Sequence, residues 1–210
     1  MGDLIQTPTK WESNGIEGRG EFPPVLANRY NGRAIVMGTG RSIWNDLSRF
    51  KHKGYGVIAV NNMILHYKGR VDHACSMHPE EPELWKELRT AYECEQGEII
   101  THSPCTSPHG KEHKTDYTWA IDDSGGGTSS LFAVMLGLAL GYNRIVLCGV
   151  PMDDSGHFYD PEGYKDGAFR ANYIRNEWSK SKIYYFKDRV RSMSVWTEDL
   201  LGRPTETWLL

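Results

Sequence analysis

Five residues, Gly38-Thr39-Gly40-Arg41-Ser42, stand between a short apolar run and a stretch with helical spacing. Glycine lets a backbone come close to an anion, and a helix start offers N–H donors and partial positive charge, so this turn can cradle a phosphate. Arg41 can add a charge-assisted contact. Ile43 occupies the place of the third glycine of the dinucleotide fingerprint, and no Gly-Lys-Ser/Thr end makes the turn a Walker loop. A tight strand-to-helix turn without any ligand uses the same residues. A second glycine-rich element, Asp122-Asp123-Ser124-Gly125-Gly126-Gly127-Thr128-Ser129-Ser130, sets three glycines before three hydroxyls at a helix start. That is costly in conformational entropy unless the backbone passes close to a ligand or to the first turn of the helix.

A third element is Asp153-Asp154-Ser155-Gly156-His157-Phe158-Tyr159. His157 suits general acid or base work, and Asp154 is the second candidate base. If the chemistry is phosphoryl transfer, Asp153 and Asp154 can hold Mg²⁺ bridging phosphates. A surface Asp-Asp-Ser-Gly turn explains the same residues. The other histidines gather with cysteines. His73, Cys75 and His78 lie near one strand end, and His102, Cys105, His109 and His113 lie in a long polar stretch. Zinc needs three or four such ligands in tetrahedral reach, but no pair here has zinc-finger spacing, so zinc is not expected.

These residues need elements to hold them. Residues 33–37 are a buried-strand run, and Ile43, Leu47 and Phe50 give residues 43–50 a helical face with Ser42 as N-cap. Strands are expected at 55–60, ending at Asn61-Asn62, at 71–77, at 98–101 and at 144–148. Helices are expected at 80–95, 128–140 and 165–180. Residues 102–123 show no periodicity and read as a long functional or mobile loop. The final residues suggest strands at 183–186 and 191–196. Alternating strands and helices imply an α/β, Rossmann-like domain, mainly parallel, with helices on both faces. Ligands of such sheets bind at the carboxyl ends of the strands, so the turns at Gly38, Asn61, His78 and Gly149 should gather on one edge. Residues 1–30 read as an irregular arm, stopped by Pro23-Pro24, lying on the domain or on a neighbouring chain; residues 31–210 form the single nucleotide-binding domain.

At this point the chain resembles a family. Gly38-Thr39-Gly40-Arg41-Ser42, Val60-Asn61-Asn62, Thr128-Ser129-Ser130, Ala139-Leu140-Gly141-Tyr142 and Ile145-Val146-Leu147-Cys148-Gly149 are similar, in order and spacing, to motifs of the family-42 bacterial sialyltransferases. The related domain of unknown function 115, with its archaeal 6-hydroxymethylpterin diphosphokinase-like members, shares them. The resemblance spans about residues 33–160 and implies a Rossmann-like fold. It implies nucleotide contacts for Gly38, Thr39, Gly40, Ser42 and Asn61, and a donor pocket shaped by Thr128, Ser129 and residues 152–159, Tyr159 included. The chain also departs from the pattern. Arg41 stands where proline is usual, Val150-Pro151 where an Asp follows the glycine, and residues 165–180 lack the downstream histidine that serves the sialyltransferases as base.

The chain has 210 residues, with 39% hydrophobic and 24% charged, as a globular domain has. A net charge of −3 gives no field to recruit nucleic acid or an anionic membrane. No apolar leader opens the sequence, and residues 131–140 are too short to span a membrane. The 4 scattered cysteines suit free thiols in a reducing cytoplasm. Of the 7 tryptophans and 11 tyrosines, some should line a cleft. The expectation is a cytoplasmic, nucleotide-dependent transferase, with a glycosyltransferase using an activated nucleotide sugar ahead of a phosphoryl or diphosphoryl transferase. The competing class is a non-catalytic binding or structural protein on the same fold. The partner is a small nucleotide ligand, and a homo-oligomer can form through the N-terminal arm.

Overall fold

The computed structural model describes residues 10–19, 30–105, 112, 114–121, 128–167 and 169–210. In chain order its strands are β1 (Lys10–Ser13), β2 (Ile16–Arg19), β3 (Arg33–Met37), β4 (Gly56–Val60), β5 (His73–Cys75), β6 (Ile100–Pro104), β7 (Tyr117–Ile121), β8 (Arg144–Cys148) and β9 (Val190–Ser192). Its helices are α1 (Ile43–Arg49), α2 (Met63–His66), α3 (Glu81–Leu88), α4 (Ser129–Ala139), α5 (Ala171–Ser181), α6 (Val195–Leu201) and α7 (Glu206–Leu209).

The strands form one 9-stranded sheet in the order β1-β2-β7-β6-β5-β4-β3-β8-β9. From β7 to β9 every pairing is parallel; only the β1–β2 and β2–β7 pairings are antiparallel. Ala34, Ile35, Val36 and Met37 of β3 are all fully buried, as a continuous apolar run between two helical layers must be. Ala34, Val36 and Ile58 pack beneath α4, while Ile35, Met37 and Val57 pack beneath α1 and α2. Helix α4 is apolar around its circumference and buried along nearly its whole length. From β3 the chain crosses to β4 on one side, and from β8 to β9 on the other, so the order reverses between β3 and β8. A crevice at the carboxyl ends of those two strands follows.

Several sequence expectations change. Residues 10–19 are not irregular: Asn14 (φ 53°) and Gly15 (φ 77°) make the two-residue turn of a β-hairpin. β2 then pairs with β7, Ser13 Oγ donates to the Ala139 carbonyl (2.7 Å), and Trp11 meets Trp119 edge-on at 5.5 Å. This part of the arm therefore lies on its own sheet; residues 1–9 and 20–29 are outside the described residues. The aperiodic stretch 102–123 contains most of β6 and all of β7. The inward groups of these two strands are polar but satisfied: Thr101 binds Asp116 (2.9 Å), and His102 accepts from Trp119 Nε1 (3.0 Å). Helix α3 stops at Leu88, and Arg89 turns inward to the carbonyls of Ile64, Tyr67, Gly69 and Glu95. Residues 182–186 continue α5 as a π-helical turn rather than a strand, and 191–196 divides between β9 and α6.

Candidate functional site

A cavity of about 430 Å³ opens at the carboxyl edge, a size that suits a small ligand. Thr39 and Gly40 after β3, Asn61 after β4, His78 after β5 and Gly149 after β8 all line it. Thr128, Ser129 and Ser130 at the start of α4 form a second wall. Met152, Asp153, Gly156, His157, Asp166, Phe169 and Ile174 form the third.

The first glycine-rich turn is shaped by backbone packing. The Gly38 N–H donates to Cys148 O and the Gly40 N–H to Gly149 O, both at 2.8 Å. A Cβ on Gly38 would stand 2.5 Å from Gly149 O, and one on Gly40 would stand 2.3 Å from Pro151 Cδ. Two turns that close leave no room for side chains, which is reason enough for both glycines. It also takes up two of the amides expected to face an anion. Among the described residues, the amides of Thr39 and Ser42 have no acceptor.

Ser42 and Arg41 are placed differently from expectation. Ser42 stands at the N-cap of α1 but makes no side-chain cap bond to the backbone; its Oγ donates to Asp46 Oδ2 (2.8 Å). Asp46, missed by sequence reasoning, is buried and also accepts from Gly149 N (2.9 Å) and Ser194 Oγ (2.5 Å), tying α1, β8 and the turn before α6 together. Arg41 does not line the cavity: its guanidinium donates to the carbonyls of Ser155, Asp160 and Pro161.

Asn61 sits at φ 51°, a conformation that asparagine tolerates better than most residues. Its Oδ1 accepts from Ser76 Oγ (2.8 Å), which leaves its Nδ2 donors on the cavity wall. Thr128 is the N-cap of α4, accepting from Leu131 N (3.1 Å), and Ser129 Oγ accepts from Met77 N (3.1 Å). The 11-residue α4 therefore aims a capped N-terminus at the cavity, with its partial positive charge. Residues Asp122 to Gly127, the glycine part of that element, lie outside the described residues.

His157 forms an isolated bridge with Gly40, and its Nδ1 lies 2.8 Å from Thr39 Oγ1. Tyr159 does not line the cavity; it stacks on the His157 ring (centroids 5.1 Å, 22°), and desolvation raises its phenol pKa. Asp153 lines the cavity, and its Oδ1 accepts from Ser155 N (3.0 Å) and Oγ (2.5 Å). Asp154 points away into an exposed ion pair with Lys165 (2.7 Å), whose hydrogen bond lowers its pKa. A carboxylate so paired and so placed is neither a base for the cavity nor half of a magnesium clamp. Asp153 and Asp154 do not converge, so the residues present do not fit that ion. Among the described residues no three His, Cys, Asp or Glu side chains group as metal ligands. His109 and His113 of the His/Cys stretch lie outside the described residues.

His73, on its expected strand, and His102, expected in the long loop, both sit fully buried in the sheet. Trp119 Nε1–H donates to His102 Nδ1 (3.0 Å), so His102 carries its proton on Nε2 and donates it to His73 Nδ1 (3.1 Å). His73 Nε2 in turn faces Tyr142 Oη (3.3 Å). Burial lowers the His73 pKa to about 4 and that of His102 well below the ordinary value.

No family model and no curated protein matches the chain. Solved structures do. The monofunctional α-2,3-sialyltransferase Cst-I of Campylobacter jejuni matches with a TM-score of 0.58 and 13% identity, over 89% of this chain and 85% of that one. The sialyltransferase CstII of Campylobacter jejuni, in complex with the substrate analogue cytidine-5′-monophosphate (CMP), matches with a TM-score of 0.54 and 16% identity, over 82% and 85% of the two chains. CstII with a trisaccharide acceptor and CMP matches with a TM-score of 0.52 and 16% identity, over 82% and 86%. At these identities the likeness is one of fold: this chain has the α/β, sialyltransferase-like architecture over most of its length.

Proposed function

We propose that this chain is a glycosyltransferase whose donor is a sugar activated by a nucleotide. The observation that carries the reading is the meeting, in one cavity, of a capped helix N-terminus, an asparagine amide and an imidazole held by its Nδ1. The donor's phosphate lies at Thr128, Ser129 and the start of α4, where N–H donors and the helix dipole favour an anion. Asn61 binds its sugar or base, and the Thr39 amide supplies a further donor. Among the described residues no Lys or Arg lines the cavity, while Asp153 and Asp166 do. One phosphate charge suits that wall better than two, so the donor is a nucleoside monophosphate sugar. The CMP and the trisaccharide acceptor of the structural neighbours support the same class. A phosphoryl or diphosphoryl transferase loses its support with the Asp153–Asp154 clamp.

His157 is the general base. Its Nδ1–H donates to Thr39 Oγ1, which leaves the Nε2 lone pair for the acceptor hydroxyl. As the acceptor oxygen bonds to the anomeric carbon, its proton passes to Nε2. The bond from that carbon to the phosphate oxygen breaks, and its electron pair leaves with the nucleotide. Tyr159 stacked on the ring stabilises the imidazolium that forms.

Calorimetric titration with CMP, UMP, ADP and GDP tests the site, and at least one monophosphate should bind. Failure of all four at millimolar concentration refutes the reading. With a working donor and acceptor, His157→Ala should lower turnover ~100-fold or more while nucleotide affinity stays within about twofold. Equal losses in both would remove His157 as the base.

A further inference from the structure

The geometry points to Arg41 as a positioning residue that holds His157 in place for proton transfer, by fastening residues 155–161 to the turn after β3. This rests on the reading of His157 as the base. Arg41 Nε donates to Ser155 O (2.9 Å), Nη1 to Asp160 O (3.3 Å) and Nη2 to Pro161 O (2.9 Å). One rigid fork thus grips both ends of a segment that has no regular structure of its own. A lysine ammonium, a single point charge, cannot span the same three acceptors. Asp160 extends the grip, because its Oδ2 accepts from the His157 amide (2.6 Å). The Phe158 amide donates to Thr39 O (3.0 Å), and Thr39 Oγ1 meets His157 Nδ1 (2.8 Å).

The imidazole is therefore located three ways: through its main chain by Arg41 and Asp160, at Nδ1 by Thr39, and on one face by Tyr159, which His66 backs at 6.0 Å. Among the described residues no carboxylate pairs with Arg41, so carbonyl dipoles alone receive its charge. Charge-assisted bonds of this kind are stronger than neutral ones. Gly156, at φ 75°, stands directly before His157 and gives the segment freedom that the clamp removes. Displacement of a reacting group by about 1 Å can cost ~100-fold in rate, so the clamp acts on turnover and not on affinity.

The test uses the full chain with Arg41→Gln and Arg41→Lys. Hydrogen exchange at the Phe158 amide should speed up about tenfold or more in Arg41→Gln, less in Arg41→Lys, with the β8 amides unchanged. The ¹⁵N shifts of His157 should move from one tautomer toward a mixture. Turnover should fall ~10- to 100-fold, with the CMP dissociation constant within about twofold. Unchanged Phe158 exchange and unchanged His157 shifts would overturn the inference. So would a loss of CMP binding as large as the loss of turnover. If Arg41→Gln does not fold, Arg41→Lys decides by the same signals. Exchange and ¹⁵N shifts need no substrate, so they settle the clamp even where no transfer is found and the proposed function itself fails.

Discussion

Acidification should unfold this protein through its buried imidazole pair. In the folded chain His73 and His102 are neutral, because burial opposes their charge and each ring nitrogen has a neutral partner. Asp72 nearby favours the His73 cation, but less than burial opposes it. In the unfolded chain both rings take protons near the ordinary pKa of about 6.5. Stability contributed by the neutral pair is thus complete above pH 6.5 and is lost as the pH falls toward 4. A drop from 6.5 to about 4 for His73 corresponds to about 3 kcal/mol. His102 acts with the same sign, so the slope can approach about 2.7 kcal/mol per pH unit while both rings stay neutral in the fold. Domains of this size are stable by only about 5–15 kcal/mol, which makes the effect decisive.

Urea unfolding at intervals from pH 7.5 to 5 measures it, above the range where ordinary carboxylates titrate. His66, whose pKa burial and Lys68 also lower, adds a smaller slope of the same sign. A His73→Gln/His102→Gln double variant should be weaker at pH 7.5 but much flatter with pH. Equal midpoints at pH 7.5 and 5 in the parent chain would refute the reasoning. Imidazole ¹⁵N shifts showing either buried ring protonated in the fold at pH 5.5 would refute it independently.

Gly149→Ala should destabilise by about 2–5 kcal/mol, read as a shift of the urea midpoint at pH 7.5, because φ is 68° and the new Cβ would meet Gly38 O at 2.5 Å and Ile43 Cβ at 2.7 Å. Gly40→Val should likewise lower the melting temperature, against Pro151 and Gly149, rather than only block a ligand. Asp154→Asn should leave nucleotide affinity and turnover within about twofold, since its carboxylate faces Lys165 outside the cavity; a large loss of turnover would return Asp154 to the site.

The central fold was legible because its signals are apolar and local. β3, β4 and β8 read as short continuous apolar runs, and α4 as a longer one, since elements buried on every side need no polar face. The hairpin at residues 10–19 carried an Asn14-Gly15 signal that could have been read, but its strands alternate polar and apolar residues and its one fully buried aliphatic side chain is Ile16. β7 and the part of β6 beyond residue 101 were hidden for a different reason. The buried side chains of these strands include Thr101, His102 and Ser103, which periodicity counts as solvent-facing. The partners that make them burial-competent, Asp116, Trp119 and Thr115, lie 12 to 17 residues away.

The site divides along the same line. That Thr39, Asn61, His78 and Gly149 share one edge follows from strand ends in a parallel sheet, and needs no side-chain detail. What each residue does there is set by distant partners. Asp46 receives donors from 103 and 148 residues away, and Arg41 donates to carbonyls more than 110 residues away. A glycine pair after a strand reads identically whether an anion or another backbone comes close. The distinction is physical: a Cβ at Gly38 or Gly40 would meet Gly149 and Pro151, so here the close partner is the turn after β8. The other glycine-rich element reaches the same edge, where Thr128 and Ser129 begin α4 and line the cavity. The turn that resembles a phosphate cradle instead holds the loop that carries His157.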